Sequence, residues 1–240
     1  MLFLTLFLII IIVGYPIWDY FYLKKIKNNH INKRKMYGQI MITQWVMVII
    51  ILAYWFLTKR TFNDLFTIEN RLFFFETESL LALGLGAGIS IVMFALIILF
   101  SKTIRKKISE ALTDESIQFL LPSTFGERLF FLLIAITAGV CEEIIFRGVM
   151  LYYLSHLPFE LPIIAIGIIS SLLFGIVHLY QGWKGVLLTT YLGAVLFLLF
   201  VGTGSLWVPI VLHFIIDAKF VFLPNKKVRK RSNSVKVENN

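Results

Sequence analysis

The chain has one cysteine in 240 residues, Cys141. An intramolecular disulfide is thereby excluded, as is a zinc site built from several thiolates. Charge is also scarce. Asp, Glu, Lys and Arg together make 15% of the chain, against about 25% in ordinary soluble proteins. Acids are the scarcer sign, 14 against 23 bases, for a net charge of +9. The 58% of hydrophobic residues exceeds the usual 45–50% or so. It is concentrated in runs such as Leu2–Val13, Ile40–Leu57, Leu80–Phe100 and Ile163–Leu179. Runs of about 20 apolar residues match the roughly 30 Å hydrocarbon core of a bilayer at 1.5 Å rise per residue. A water-soluble enzyme, a disordered tail and a secreted disulfide scaffold do not have this pattern. The expected fold is all-α, a polytopic membrane bundle of about seven transmembrane helices.

The seven apolar segments run approximately over 2–23, 38–57, 79–100, 128–154, 161–180, 186–201 and 206–223. Between them the charges alternate. Residues 24–35 read KKIKNNHINKRK, with six bases and no acid. The loop at 58–78 has three bases against the four acids Asp64, Glu69, Glu76 and Glu78. Lys102, Arg105, Lys106 and Lys107 open the stretch 101–127, and Asn225 begins a basic tail. Lys- and Arg-rich loops stay in the cytoplasm, which places the N-terminus outside and the C-terminus inside. The basic tracts flank apolar segments, so orientation and anionic lipid account for them, and nucleic acid is not an expected partner. With no basic n-region and no small-residue cleavage site, 2–23 reads as a retained span rather than a signal peptide. The organisation expected is a first part, 1–127, with three spans and a cytoplasmic interfacial segment. The helices carrying the chemistry follow over 128–223, then a basic, disordered tail over 224–240.

Ionisable residues inside spans are expensive, roughly 2.5–3.5 kcal/mol each at the helix centre, and are functional candidates by default. The fourth segment holds Cys141-Glu142-Glu143-Ile144-Ile145-Phe146-Arg147, the fifth Phe174-x-x-x-His178, the seventh His213-x-x-x-Asp217. At about 100° per residue, Glu143 and Arg147 lie one turn apart and can pair, while Glu142 points about 140° away from Arg147. That geometry predicts a structural ion pair beside a free carboxylate, the kind of group that serves as a general base. Ala135, Ala138 and Gly139 leave room beside Glu142 for a neighbouring helix, water or substrate. His178 and His213 can each hold a water or a divalent metal such as zinc. Asp217 can orient His213 or add an oxygen ligand, making His178, His213 and Asp217 the candidate metal set. No serine or cysteine triad spacing is present, and no HExxH zinc-protease motif. Cys141 has no adjacent base and reads as packing. Gly182, Gly185, Thr189 and Gly193, like Gly84 and Gly88, read as helix contact faces, and Trp18, Trp45, Trp183 and Trp207 as interface anchors.

Glu142-Glu143-x-x-x-Arg147, Phe174-x-x-x-His178 and His213-x-x-x-Asp217, in that order within apolar segments, resemble the motifs of the CPBP intramembrane proteases. That group includes the type II CAAX prenyl endopeptidases and bacterial Abi-type proteins. The resemblance covers about 128–223. It implies an intramembrane endopeptidase in which Glu142 activates the attacking water and His178 helps to hold that water or a metal. His213 with Asp217 would stabilise the oxyanion or complete the site, with Glu143, Arg147 and Phe174 in support. The family's last motif accepts Asn or Asp, and this chain has Asp217. A composition rich in Ile, Lys and Asn points to a bacterial source, and so to peptide precursors or other membrane proteins as substrates rather than prenylated tails. Two rivals stand beside the enzyme. One is a non-catalytic membrane adaptor or bacteriocin-immunity protein that binds a peptide or signalling partner. The other is a transporter with a proton relay through Glu142, His178 and His213, which explains the charges but not the motif order.

Overall fold

A computed structural model describes residues 1–28, 32–68, 103 and 120–222. The expected third span at 79–100, most of the interfacial segment, Gly84 and Gly88, and the basic tail all lie outside the described residues. Within them the chain is all-α, with an isolated bridge between Thr67 and Ser205 as its β-type pairing.

The helices are α1 (Leu2–Ile9), α2 (Tyr15–Asn28), α3 (Lys33–Leu57), α4 (Asn63–Phe66), α5 (Phe125–Glu143), α6 (Met150–Ser155), α7 (Ile163–Ile176), α8 (Gly182–Thr203) and α9 (Trp207–Ala218). A π turn, Ile10–Gly14, joins α1 to α2, and a second, Ile144–Val149, joins α5 to α6. Among the described residues, four stretches are long and apolar enough to cross a bilayer: Leu2–Leu23, Lys33–Leu57, Phe125–Ser155 and Leu179–Thr203. The protein is membrane-embedded, and its lipid-type apolar surface is extensive, as Leu2, Phe56, Leu187 and Tyr191 illustrate.

Local chemistry sets the helix ends. Asn32 accepts from the Arg34 amide and starts α3. Thr124 and Glu127 form a reciprocal capping box at the start of α5, Thr124 Oγ1 accepting from the Glu127 amide at 3.2 Å. Gly204, at φ 72°, closes α8 in the left-handed conformation that a β-carbon disfavours.

The fifth apolar segment is shorter as a helix than its hydrophobic run. Pro162 caps α7 and the helix ends at Ile176, 14 residues later, about 21 Å at 1.5 Å per residue. That falls short of the roughly 30 Å hydrocarbon core. A 3-10 turn, Leu179–Gln181, and Gly182 at φ 77° then reverse the chain into α8. The seventh segment is likewise 12 helical residues followed by a 3-10 turn, Lys219–Phe222. Counting along full-length spans puts His178 and His213 at different depths; the short α7 removes that mismatch. Pro158 precedes α7, and Pro209 sits buried in the first turn of α9, where its missing amide is tolerated. Neither breaks a helix.

Packing ties these pieces to one another. α5 lies against α3 and α9, and α7 against α8. A β-carbon on Gly139 would stand 3.1 Å from the Ile210 carbonyl, and one on Gly193 would stand 3.1 Å from the Phe174 ring. The small residues expected to leave room beside Glu142 therefore admit helix α9 at Gly139, while Ala138 borders a cavity. Gly193 serves the α7–α8 contact, whereas Gly182 serves the turn. The start of α3, the start of α5 and the ends of α7 and α9 meet at one end of the bundle. Lys33 reaches Glu127 at 3.8 Å there, and Phe131 packs edge-on to Tyr37 and Phe220.

Candidate active site

The motif residues converge although they come from three helices. Glu143 and Arg147 form the expected ion pair, Nη1 to Oε1 at 2.9 Å, across the π turn that widens the helix between them. π turns of this kind are frequent at functional sites. Arg147 also donates from Nη2 to the Gly193 carbonyl at 3.1 Å and stacks over the Phe174 ring at 4.4 Å. Phe174 is thus the floor of the guanidinium. Both charged groups are sealed, at 0% and 1% exposure.

The pair has a third member. His213 Nδ1 lies 2.8 Å from Glu143 Oε1, so the carboxylate accepts Nδ1–H and fixes the ring. Asp217, expected to orient His213, lies 3.6 Å from Nε2 at its nearest, beyond hydrogen-bond distance. The orienting carboxylate is therefore Glu143, one residue after Glu142.

His178 is fixed in a similar way, by the Phe174 carbonyl 2.7 Å from Nδ1. A carbonyl only accepts, so Nδ1 carries the proton and the neutral ring presents a lone pair at Nε2. Both Nε2 atoms point at Glu142 Oε2, His178 at 3.7 Å and His213 at 3.9 Å. These distances are too long for direct bonds and of the order that one bridging water spans.

Glu142 itself is held from a direction its motif does not show. Gln44 on α3 donates Nε2 to Glu142 Oε1 at 2.9 Å. The carboxylate expected to be free is thus anchored through one oxygen, and Oε2 is buried with no hydrogen-bond partner. Among the described residues, Glu142 Oε2, Glu143 Oε2, Gln44 Oε1 and Arg147 Nε make four of the five such atoms, and all four belong to this cluster. Unsatisfied buried polarity is uncommon and calls for a reason; here it is gathered in one place.

A cavity of about 410 Å³ contains Glu142, His178, His213 and Asp217, a size suited to a small ligand or a peptide segment. It extends toward the end of the bundle where Tyr37, Leu120 and Lys219 lie. Glu142 and Asp217 keep 16% and 28% side-chain exposure, so both face it while Glu143 does not. Cys141 is buried at its wall with no thiol partner. Asp19, on α2, also lines this cavity. Its charge inside the first apolar segment is a signal readable in the sequence, though it belongs to none of the three motifs. Gln44, being neutral, carries none.

The donors are of the kind that zinc accepts, imidazole nitrogen and carboxylate oxygen. Among the described residues, however, no three His, Cys, Asp or Glu side chains stand close enough together to hold one ion. His178, His213 and Asp217 match a metal site in kind and not in spacing.

Residues 124–218 match the model of the family described as type II CAAX prenyl endopeptidase Rce1-like. A Bacillus subtilis (strain 168) protein that bears the name Putative membrane peptidase YdiL is 32% identical over 119 residues. That alignment takes in 48% of this chain and 46% of the relative, so the chain spans about half the length of the curated relative it matches. No solved structure matches. The stretch that carries all three motifs thus resembles the type II CAAX prenyl endopeptidase Rce1-like family.

Proposed function

We propose that the protein is a multi-pass intramembrane endopeptidase that hydrolyses a peptide bond in a membrane-associated peptide or protein, with Glu142 as general base. The observation that carries this reading is Glu142 Oε2, unpartnered and facing both His Nε2 atoms inside a cavity. The Rce1-like match and the name of the bacterial relative support the same reaction class.

A water between these three atoms donates one hydrogen to Glu142 Oε2 and the other to the His178 Nε2 lone pair. Glu142 takes its proton as the water oxygen bonds to the scissile carbonyl carbon, and the C=O electron pair moves onto oxygen. His213, doubly protonated, keeps Nδ1–H on Glu143 and offers Nε2–H to that oxyanion. The C–N bond then breaks, and the leaving nitrogen takes the proton from Glu142. Carboxylic acid and amine depart, and the base is regenerated. Gln44 holds the carboxylate's other oxygen throughout, while Arg147 and Glu143 hold His213. Asp217, set off from His213 Nε2, lines the substrate space.

The basic end of the bundle faces the cytoplasm, and the substrate enters from that side. Peptidomics of membranes with wild type against Glu142→Gln tests the reading. New peptide termini that need Glu142 are expected; identical termini in the two strains would reject it. An adaptor would instead keep its full effect in Glu142→Gln.

A further inference from the structure

Asp19 is a carboxylate of the cavity, on a different helix from the motif residues, that the chemistry above does not use. It is 5% exposed, lines the cavity, and makes no hydrogen bond or ion pair among the described residues. Its helix face is Ile11, Tyr15, Asp19 and Leu23, spaced by four, and all four line the same cavity. The side chain therefore points into the space that holds Glu142.

An acid so placed has its charge stripped of water, with no counter-charge paired to it among the described residues. Among the described residues, Lys219, the lysine of the cavity lining, lies over the Phe220 ring at 5.0 Å and makes no ion pair with Asp19. Tyr15 and Tyr180 line the same cavity, each within electrostatic range of both Asp19 and Glu142. Aromatic faces beside a buried acid favour an ammonium or guanidinium group, and a desolvated carboxylate gains most from a partner of opposite charge. The remaining lining is mainly apolar.

We infer that Asp19 is a specificity residue that receives a lysine or arginine side chain of an otherwise apolar peptide, a few residues from the bond that Glu142 cleaves. The inference rests on the hydrolase reading of the same cavity. It restricts the substrate to segments in which a basic residue adjoins a hydrophobic stretch.

The test uses the full chain in lipid nanodiscs. The probes are N-acetylated, fluorescent apolar octapeptides with one lysine at each successive position, and matched peptides with norleucine there. Binding is measured on Glu142→Gln, and cleavage on the enzyme with Glu142 intact. At one or two positions the lysine peptide should bind at least tenfold tighter than its norleucine match. Asp19→Asn should erase that ratio and leave norleucine-peptide binding unchanged, whereas Asp19→Glu should keep it. The unchanged neutral peptide guards against misfolding. A lysine preference that survives Asp19→Asn, or no preference in the presence of Asp19, would overturn the inference. Charge-selective binding with no cleavage would support the acidic subsite and reject the hydrolase; cleavage blind to charge would do the reverse.

Discussion

At the scale of the residue, adjacent glutamates have different work because they face different partners. Glu142 opens to the cavity with one oxygen on Gln44, and Glu143 is sealed between Arg147 and His213. A hydrogen bond to a charged group is worth about 1.5–3 kcal/mol. Gln44→Ala should thus cut kcat roughly ten- to hundredfold, with KM and melting temperature little changed, in a peptide assay on purified protein. Arg147→Ala removes the main counter-charge of a fully buried carboxylate, a cost of about 3–5 kcal/mol. It should lower the melting temperature and the amount of protein in membranes, while Glu142→Gln should leave both near wild type. The i,i+4 spacing made the Glu143–Arg147 pair readable from the chain alone. The His213–Glu143 bond was not, since it depends on how α9 lies against α5. The same spacing within α9 suggested Asp217 as the orienting acid, and a carboxylate 70 residues away is closer.

At the scale of the element, the short α7 brings His178 to the depth of Glu142. Hydropathy counts residues that bury well and not residues that are helical, so the run through Val177 to Tyr180 reads as span when it is a turn. What holds that turn in place is the close contact of α7 with α8. A β-carbon on Gly175 would collide with Thr190 Oγ1 and stand 2.9 Å from the Val186 carbonyl. Overpacking of this kind costs about 1–3 kcal/mol. Gly175→Ala should therefore destabilise the protein and, by moving His178, lower kcat more than KM. Thr190→Ala in addition should restore part of the stability and not all of it, because the Val186 carbonyl is backbone. Thermal unfolding and steady-state rates on both variants check this. The described helices lie within a few residues of the apolar segments that hydropathy marks, while the Thr124–Glu127 capping box starts α5 three residues before the segment expected from 128. The π turn at Ile144–Val149 has no comparable signature, since its six apolar and basic residues suit a straight helix equally well.

At the scale of the whole molecule, the account joins an orientation, a cavity and a reaction. The proposed orientation places the basic end in the cytoplasm. In intact cells an impermeant thiol reagent should label Asn63→Cys and spare Asn32→Cys; the native Cys141 is buried and stays silent. The reverse pattern would invert the topology. The reaction as drawn uses only groups of the chain, so purified protein should keep its activity through exhaustive chelation. One equivalent of zinc, lost together with activity, would put His178, His213 and Asp217 to use as ligands instead. The central claim is that Glu142 delivers a water to a peptide carbonyl, and isotope transfer tests it most directly. The protein in nanodiscs is given an apolar peptide library in water enriched in oxygen-18, and the products are weighed. Wild type should yield fragments with one heavy oxygen in each new carboxyl terminus, and Glu142→Gln should yield none. Labelled fragments formed equally fast by Glu142→Gln would contradict the account.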